Sequence, residues 1–130
     1  MSCIINMDET PVFLDLPDNY TVDQLGNNEI KGRTTGHEKE RVTVVLTAAA
    51  DGTKFKPFVI FARKTVPKKL PKGVVAAVQD KGWMDEAKML EYQNKVWAPG
   101  PANFGERLLG VFDSHKPHLT DKVLESCLLH

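Results

Sequence analysis

The stretch from Arg41 to Phe61, RVTVVLTAAADGTKFKPFVIF, decides the fold. Arg41 to Ala50 is a run of β-branched and small apolar residues that leads into Asp51-Gly52, a dipeptide that favours the positive φ angles of a tight hairpin turn. Phe55 to Phe61 is rich in aromatic and β-branched residues, as strands are. The stretch therefore predicts two antiparallel strands joined at Asp51-Gly52.

The chain before this hairpin predicts two shorter extended segments. Ile4 to Glu9 indicates a short buried strand that ends in acids, and we expect a break near Thr10 because Pro11 fits poorly into a central strand. Val12 to Leu16 is a second extended run. Turn-forming residues follow in two groups, Pro17-Asp18-Asn19 and Gly26-Asn27-Asn28.

The chain after the hairpin alternates between strands and helices. Lys64 to Gly73 carries prolines among its lysines and predicts a surface loop, and Val74 to Val78 predicts the next strand. Leu108 to Phe112 is an apolar strand that ends at Asp113. An early group of strands followed by helix, strand and helix predicts an α/β fold with a mixed sheet flanked by helices.

Two helices are predicted from apolar spacing. In the first, Asp85 is available as the N-cap and Pro99-Gly100-Pro101 ends the helix. The second begins after Thr120, its predicted N-cap. Helical spacing of this kind favours core packing over base stacking for both tryptophans of the first helix. The spaced residues are Trp83, Ala87, Leu90 and Trp97 in the first helix and Val123, Leu124, Cys127 and Leu128 in the second.

Composition limits the class of protein. The chain has 130 residues, 42% of them hydrophobic, which suits one domain covering residues 1–130. Because no apolar run approaches the length that spans a bilayer, we expect a soluble, intracellular protein without a membrane partner. Cys3 and Cys127 lack zinc-ligand spacing and are expected to be reduced thiols.

Charge is balanced overall but not along the chain. Lysine plus arginine and aspartate plus glutamate both number 17, so net charge alone does not indicate nucleic-acid binding. Between Asp8 and Glu29 there are acids and no bases, and between Gly52 and Gln79 the reverse holds. The basic residues there could contact phosphate or form an ordinary solvated face: Lys54, Lys56, Arg63, Lys64, Lys68, Lys69 and Lys72.

Two acids follow apolar strands that lie far apart in sequence. Asp8 comes after Ile4 and Ile5, and Asp113 comes directly after Leu108 to Phe112. Ligands gather at the carboxyl ends of strands in α/β sheets, so these two carboxylates could share one cation site. Aspartates at strand ends are also common turn formers, and the spacing alone leaves both interpretations open.

Several segments resemble pogo/Tigger-type DDE transposases. The first is INMDETP at Ile5 to Pro11, which is similar to the opening strand of that family. The resemblance extends from Ile4 to Leu129 through four further segments: Gly36 to Thr43 with the turn Ala50-Asp51-Gly52, Pro57 to Phe61, Lys81 to Met84, and Val111 to Thr120.

The resemblance implies an RNase H-like α/β domain that cuts and joins DNA in the nucleus. It assigns Asp8 and Asp113 as catalytic acids that bind Mg²⁺ or Mn²⁺, and His118 as the histidine of the family. Glu9, next to Asp8 on a strand, should point to the opposite face, where we expect it to support the site from behind or to lie on the surface and not to bind the metal itself. His115 is expected to be an ordinary surface histidine.

The third acid of the family follows a further strand, which the resemblance places beyond His130, and Glu125 comes too early to replace it. We therefore expect a partial domain that is inactive alone, with an uncovered sheet edge and apolar helix face that could lead to homo-oligomers. The alternative is a non-enzymatic, domesticated module, in the manner of centromere protein B or jerky-like proteins. A small-molecule-binding α/β domain is disfavoured because the chain has no phosphate-cradling glycine motif.

Overall fold

The computed structural model describes residues 3–14, 41–99 and 108–128. The predicted turns at 17–19 and 26–28, the acids between 15 and 29, and residues 36–40 of the family resemblance lie outside these ranges. The described elements are β1 (Cys3–Phe13), β2 (Arg41–Ala49), β3 (Phe58–Ala62), β4 (Val75–Gln79), α1 (Glu86–Tyr92), a π-helical turn (Gln93–Trp97), β5 (Leu108–Val111), a 3₁₀ turn (Lys116–His118) and α2 (Asp121–Cys127).

The strands form one mixed sheet in the order β4-β3-β2-β1-β5. The central pairs, β1 with β2 and β2 with β3, are antiparallel, and the outer pairs, β3 with β4 and β1 with β5, are parallel. The predicted α/β fold with a mixed sheet is confirmed. Strands that are distant in sequence, β1 and β5, thus lie side by side and run in the same direction.

The predicted hairpin is present. The Gly52 N–H donates to the Ala49 carbonyl at 2.9 Å, and Gly52 has a φ of 90°, which glycine adopts without strain. β2 and β3 then pair from Val45↔Phe58 to Val42↔Phe61. An isolated bridge pairs Ala48 with Lys54, ahead of the Val45↔Phe58 pair. From the bridge to that pair the chain advances three residues along β2 but four along the segment that leads into β3. This segment therefore contains one extra residue, as in a β-bulge.

The expected break near Thr10 is wrong, because β1 continues through Pro11 to Phe13 and pairs with β2 throughout. The Ala50 N–H donates to the Ile4 carbonyl, so Ile4 and Ala50 form a hydrogen-bonded pair. Hydrogen-bonded and non-hydrogen-bonded pairs alternate along an antiparallel ladder, which makes the pair of Pro11 with Thr43 a non-hydrogen-bonded one. The nitrogen of Pro11 therefore faces away from β2. β5 pairs with β1 only at residues 3–6, so a proline at position 11 removes no bond of the sheet.

The helices cover one face of the sheet. The side chains of Ile5, Met7, Val45, Phe58 and Ile60 enter the core from that face, and residues of α1, the π-helical turn and α2 pack on them: Met89, Tyr92, Val96, Trp97 and Val123. The opposite face carries exposed apolar residues, Ile4, Leu46, Leu109 and Val111. Alternation along each strand separates the two sets.

The first helix begins as predicted, with the Asp85 carboxylate accepting the Lys88 N–H at 2.8 Å. The prediction that both tryptophans pack in the core is right for Trp97 and wrong for Trp83. Trp83 precedes the helix, which begins at Glu86, and is 53% exposed with the Arg41 guanidinium 4.4 Å from the ring centroid. The helical spacing that predicted its burial includes residues before Glu86, which are not part of the helix.

The remaining elements follow the predictions with small shifts. Residues 64–73 form a largely exposed loop, and β4 begins at Val75. Thr120 occupies the N-cap position of α2, but its side chain makes no capping hydrogen bond. Only part of the predicted apolar face of α2 packs, since Val123 is buried whereas Leu124 and Leu128 are exposed. None of the described helices is long and apolar enough to cross a membrane.

Candidate functional site

The two predicted catalytic acids are brought together by the parallel pair β1 and β5. The last pair in their register is Asn6↔Val111, and Asp8 and Asp113 each lie two residues further along in the same direction. Neighbouring strands are about 4.8 Å apart. Both acids therefore lie just beyond the last pair of the β1–β5 ladder, on adjacent segments of the sheet, although 105 positions separate them in the sequence. The prediction that Asp8 ends its strand is wrong, because β1 continues to Phe13 and Asp8 pairs with Leu46 in the middle of it.

Backbone N–H groups hold one oxygen of each carboxylate. Asp8 Oδ1 accepts the Glu9 N–H at 2.8 Å, and Asp113 Oδ1 accepts the His115 N–H at 3.1 Å. The bond from the His115 N–H, helped by the nearby His118, lowers the pKa of Asp113 below its usual value. The side chain of Asp113 is 66% exposed, so this ionised carboxylate is open to solvent and to a cation.

His118 lies beside Asp113, as predicted, but the carboxylate of β1 that it contacts is that of Glu9 and not of Asp8. Its Nδ1 is 2.8 Å from Asp113 Oδ1 and its Nε2 is 2.7 Å from Glu9 Oε1. The 3₁₀ turn Lys116–His118 turns the ring inward, where only 2% of the residue is exposed and Phe112 packs edge-on against it. Through its two nitrogens the buried His118 ring connects Glu9 of β1 to Asp113, which follows β5. This link lies beyond the last pair of the β1–β5 ladder.

Glu9 points to the face opposite Asp8, as alternation predicted. It has the same parity as Ile5 and Met7, which are buried, and its side chain is 21% exposed. The bond between Glu9 and His118 was not predicted from the sequence. The sequence did contain a sign of it: Glu9 shares the core-facing side of the strand with Ile5 and Met7, and a carboxylate on that side needs a polar partner.

A second group of donors is formed by Glu9, His115 and His118, whose possible ligand atoms lie within 4.8 Å of one another. His115 is exposed, as expected, but its ring centroid is 5.4 Å from that of His118. Imidazole nitrogens suit zinc and related transition metals, whereas the oxygens of Asp8 and Asp113 suit Mg²⁺ and Mn²⁺. The 2.7 Å contact between Glu9 and His118 is a hydrogen-bond distance, so this group must open to admit an ion.

The predicted basic residues are all exposed but do not form one cluster. Lys54 and Lys56 flank Phe55 before β3, whereas Arg63 and Lys64 follow its far end. The other three, Lys68, Lys69 and Lys72, lie on the loop that leads back to β4. Lys54 bridges to Ala48, which pairs with Asn6, and partners in a pair share a face of the sheet. Lys54 is thus in the row next to Asp8, on the same face.

Comparison with known proteins identifies the family of the chain. Residues 39–130 match the family described as DDE superfamily endonuclease. The chain belongs to this family. Its mixed sheet is the RNase H-like α/β fold of these endonucleases, which use divalent metal ions.

The relatives are pogo-type proteins. The chain is 36% identical over 126 residues to a mouse "Pogo transposable element with KRAB domain" and 34% identical to its human counterpart, covering 93% of the chain and 20% of each relative. A human "Pogo transposable element with ZNF domain" is 29% identical over 95% of the chain and 9% of its own length. The chain thus spans about a fifth or less of these relatives. No solved structure matches it.

Proposed function

We propose that this chain is part of a DNA-processing domain in which Asp8 and Asp113 bind Mg²⁺ or Mn²⁺. The observation that supports the proposal is the register of β1 and β5, since Asp8 and Asp113 each lie two residues beyond the last pair of that ladder. The conserved chemistry of the family, phosphodiester cleavage and strand transfer, gives these acids their role. DNA as the substrate implies a nuclear protein.

The donor set fits a hard divalent cation. Both side chains offer carboxylate oxygens on exposed residues, and the described bonds engage Oδ1 of each. When bound, such cations activate a water or a 3′-hydroxyl and stabilise the departing oxygen of the phosphodiester. The His115 N–H and the His118 ring hold the Asp113 carboxylate in one orientation. Because His118 is buried, we assign it this positioning role in preference to contact with a phosphate.

Two of the expected acids, Asp8 and Asp113, are among the described residues, and Glu9 is directed to the face opposite Asp8. A two-metal site needs enough carboxylate oxygens for both ions, so we expect at most one weakly held cation here and neither cutting nor joining of DNA by the chain alone. The predicted basic residues would bind DNA weakly, with an affinity that falls as salt rises. Residues 1–130 would act as one partial domain, and the exposed apolar sheet face would promote homo-oligomers.

Manganese binding tests the site. We expect Mn²⁺ titration, followed by electron paramagnetic resonance of the free ion, to show weak binding that is lost in Asp8→Asn/Asp113→Asn. The matched control is Asp80→Asn/Asp121→Asn, which removes the same charge from exposed positions elsewhere. Equal binding by both double variants would refute the assignment of Asp8 and Asp113.

Nicking of supercoiled DNA with Mg²⁺ or Mn²⁺ tests the expected inactivity. Robust cutting by the chain that disappears in Asp8→Ala/Asp113→Ala would contradict it and would mean that another acid, supplied for example by a second subunit, completes the site. DNA binding without any Mn²⁺ binding would instead favour the non-enzymatic, domesticated module.

A further inference from the structure

A basic cavity lies further along β1 than Asp8, where that strand ends at Phe13. It has a volume of about 460 Å³ and is formed where β2 begins and β3 ends, so that Leu14, Val42 and Phe61 give it an apolar lining. Three cationic side chains complete it: Arg41, Arg63 and Lys81. Among the described residues that line the cavity there is no carboxylate to neutralise them.

The cations of this cavity are held by their neighbours. The Arg41 guanidinium lies 4.4 Å from the centroid of the exposed Trp83 ring, and Arg63 lies 5.7 Å from that of Phe61. Stacking on an aromatic face leaves the N–H edge of a guanidinium available to an anion. A flat, oriented guanidinium can donate two parallel hydrogen bonds to a phosphate.

The turn that carries Lys81 and Trp83 is fixed to the sheet. The Gln79 Oε1 accepts the N–H groups of Lys81, at 2.7 Å, and of Trp83, at 3.2 Å. The Thr43 hydroxyl donates to the Gly82 carbonyl at 2.7 Å. Gly82 has a φ of 67° and packs so closely on Ala62 that an added Cβ would lie 3.0 Å from the alanine Cβ. A turn tied at this many points keeps its basic side chain beside the cavity.

We propose that this cavity binds a backbone phosphate of DNA, and that it is separate from the cation site. The proposal rests on the proposed function only in taking DNA as the source of the phosphate. Phe13, which pairs with Arg41, is five residues along β1 from Asp8, or about 17 Å at the rise of a strand. A phosphate held here is therefore not the one that is cut, and the cavity would hold the duplex at a second point.

The salt dependence of DNA binding tests the proposal. Anisotropy of a labelled duplex of about 30 base pairs, in EDTA, gives the slope of log K against log salt for the full chain. Losing the one phosphate held by the cavity should reduce the magnitude of that slope by about 0.9 in Arg41→Gln/Lys81→Gln. Lys95→Gln/Lys122→Gln removes the same charge from α2 and the π-helical turn, where both lysines pair with glutamates, and should leave the slope unchanged.

A second pair separates this proposal from the proposed function. Lys68→Gln/Lys69→Gln removes two of the basic residues assigned to DNA but not to the cavity. If this pair reduces the slope and Arg41→Gln/Lys81→Gln does not, the cavity proposal fails and DNA binding by the basic residues stands. If the unmodified chain does not bind the duplex at all, the proposed function fails with it. Should the double variant unfold, Lys81→Gln alone must reduce the slope, by up to about 0.9.

The two indole groups provide an independent readout by NMR. Adding duplex should shift the Nε1–H signal of the exposed Trp83, which contacts Arg41, while that of Trp97, donated to the Tyr92 hydroxyl in the core at 2.7 Å, stays unchanged. Inorganic phosphate at millimolar concentration should shift the same Trp83 signal and compete with DNA. A response to inorganic phosphate but none to DNA would overturn the proposal, as would an unmoved Trp83 signal in a chain that binds the duplex.

Discussion

Two polar clusters lie on the same face of the sheet and behave as opposites. The tyrosine cluster, Thr47, Tyr92 and Trp97, is sealed in the core, with the Tyr92 hydroxyl bonded to Thr47 and to the Trp97 N–H. The histidine cluster, Glu9, Asp113 and His118, buries only its ring and leaves both carboxylates in contact with water. Thr47 pairs with Met7, two residues from Glu9, so adjacent rows of one sheet carry the two clusters.

The difference between them is one of charge and access. The tyrosine cluster is neutral, its donors and acceptors satisfy one another, and Tyr92 also packs edge-on against Phe58 and Trp97. The histidine cluster contains two carboxylates that water can solvate, so either carboxylate can change its hydrogen-bond partner without unfolding the core. We infer that the first cluster serves stability and the second serves the site.

The largest effect is expected from removing Tyr92. Tyr92→Ala deletes a buried aromatic ring and leaves the Thr47 hydroxyl and the Trp97 N–H without their partner, so the free energy of unfolding should fall by roughly 3–5 kcal/mol. Urea unfolding followed by circular dichroism measures it. Trp83→Phe, at an exposed aromatic position, serves as the control and should stay within about 0.5 kcal/mol of the unmodified chain. A small loss from Tyr92→Ala would show that the tyrosine cluster is not structural.

High pH should weaken the tyrosine cluster next. Burial raises the pKa of Tyr92 from 10.0 to about 12. Since the folded pKa lies above the unfolded one, this contribution to stability is complete below pH 10 and is lost as pH rises to 12, by roughly 2–3 kcal/mol. The measurement is the free energy of unfolding from pH 9 to 12, compared with Tyr92→Phe, which lacks the phenol. Parallel pH curves for the two proteins would contradict the prediction.

The histidine cluster should affect activity more than stability. In an active, longer relative, replacing the equivalent of His118 with alanine should reduce DNA cleavage by roughly 10- to 100-fold, because Asp113 loses the group that orients it. DNA binding, measured separately by anisotropy, should change far less. Equal losses of cleavage and binding would favour a purely structural role for the histidine.

The smallest effect is expected from Glu9→Gln. The amide keeps an oxygen that can accept from His118, and the side chain remains partly solvated, so the free energy of unfolding should fall by about 0.5–1 kcal/mol. Glu125→Gln, at an exposed position on α2, is the control. A loss as large as that from Tyr92→Ala would mean that the two clusters do not differ as described.

Local rules were enough for the hairpin and for the start of α1. Asp51-Gly52 and Asp85 act through bonds within a few residues, which sequence patterns encode directly. Pro11 was misjudged because its tolerance depends on how far β5 extends along β1, a property of the assembled sheet. Trp83 was misjudged because the helix begins at Glu86, directly after its N-cap Asp85, and not where the apolar spacing begins.

For the site, the sequence by itself determined which residues could act: Asp8 and Asp113 after apolar runs, His118 five positions after Asp113, and a family resemblance that named them. It did not show that Asp8 lies in the middle of β1. Only the tertiary structure decided that β5 lies parallel to β1 in register, that Glu9 reaches His118 across the core-facing side, and that Arg41, Arg63 and Lys81 share a cavity. The physical reason is the range of the interactions. Turns and caps depend on neighbours in the chain, whereas strand register and side-chain clusters depend on packing between segments about a hundred residues apart.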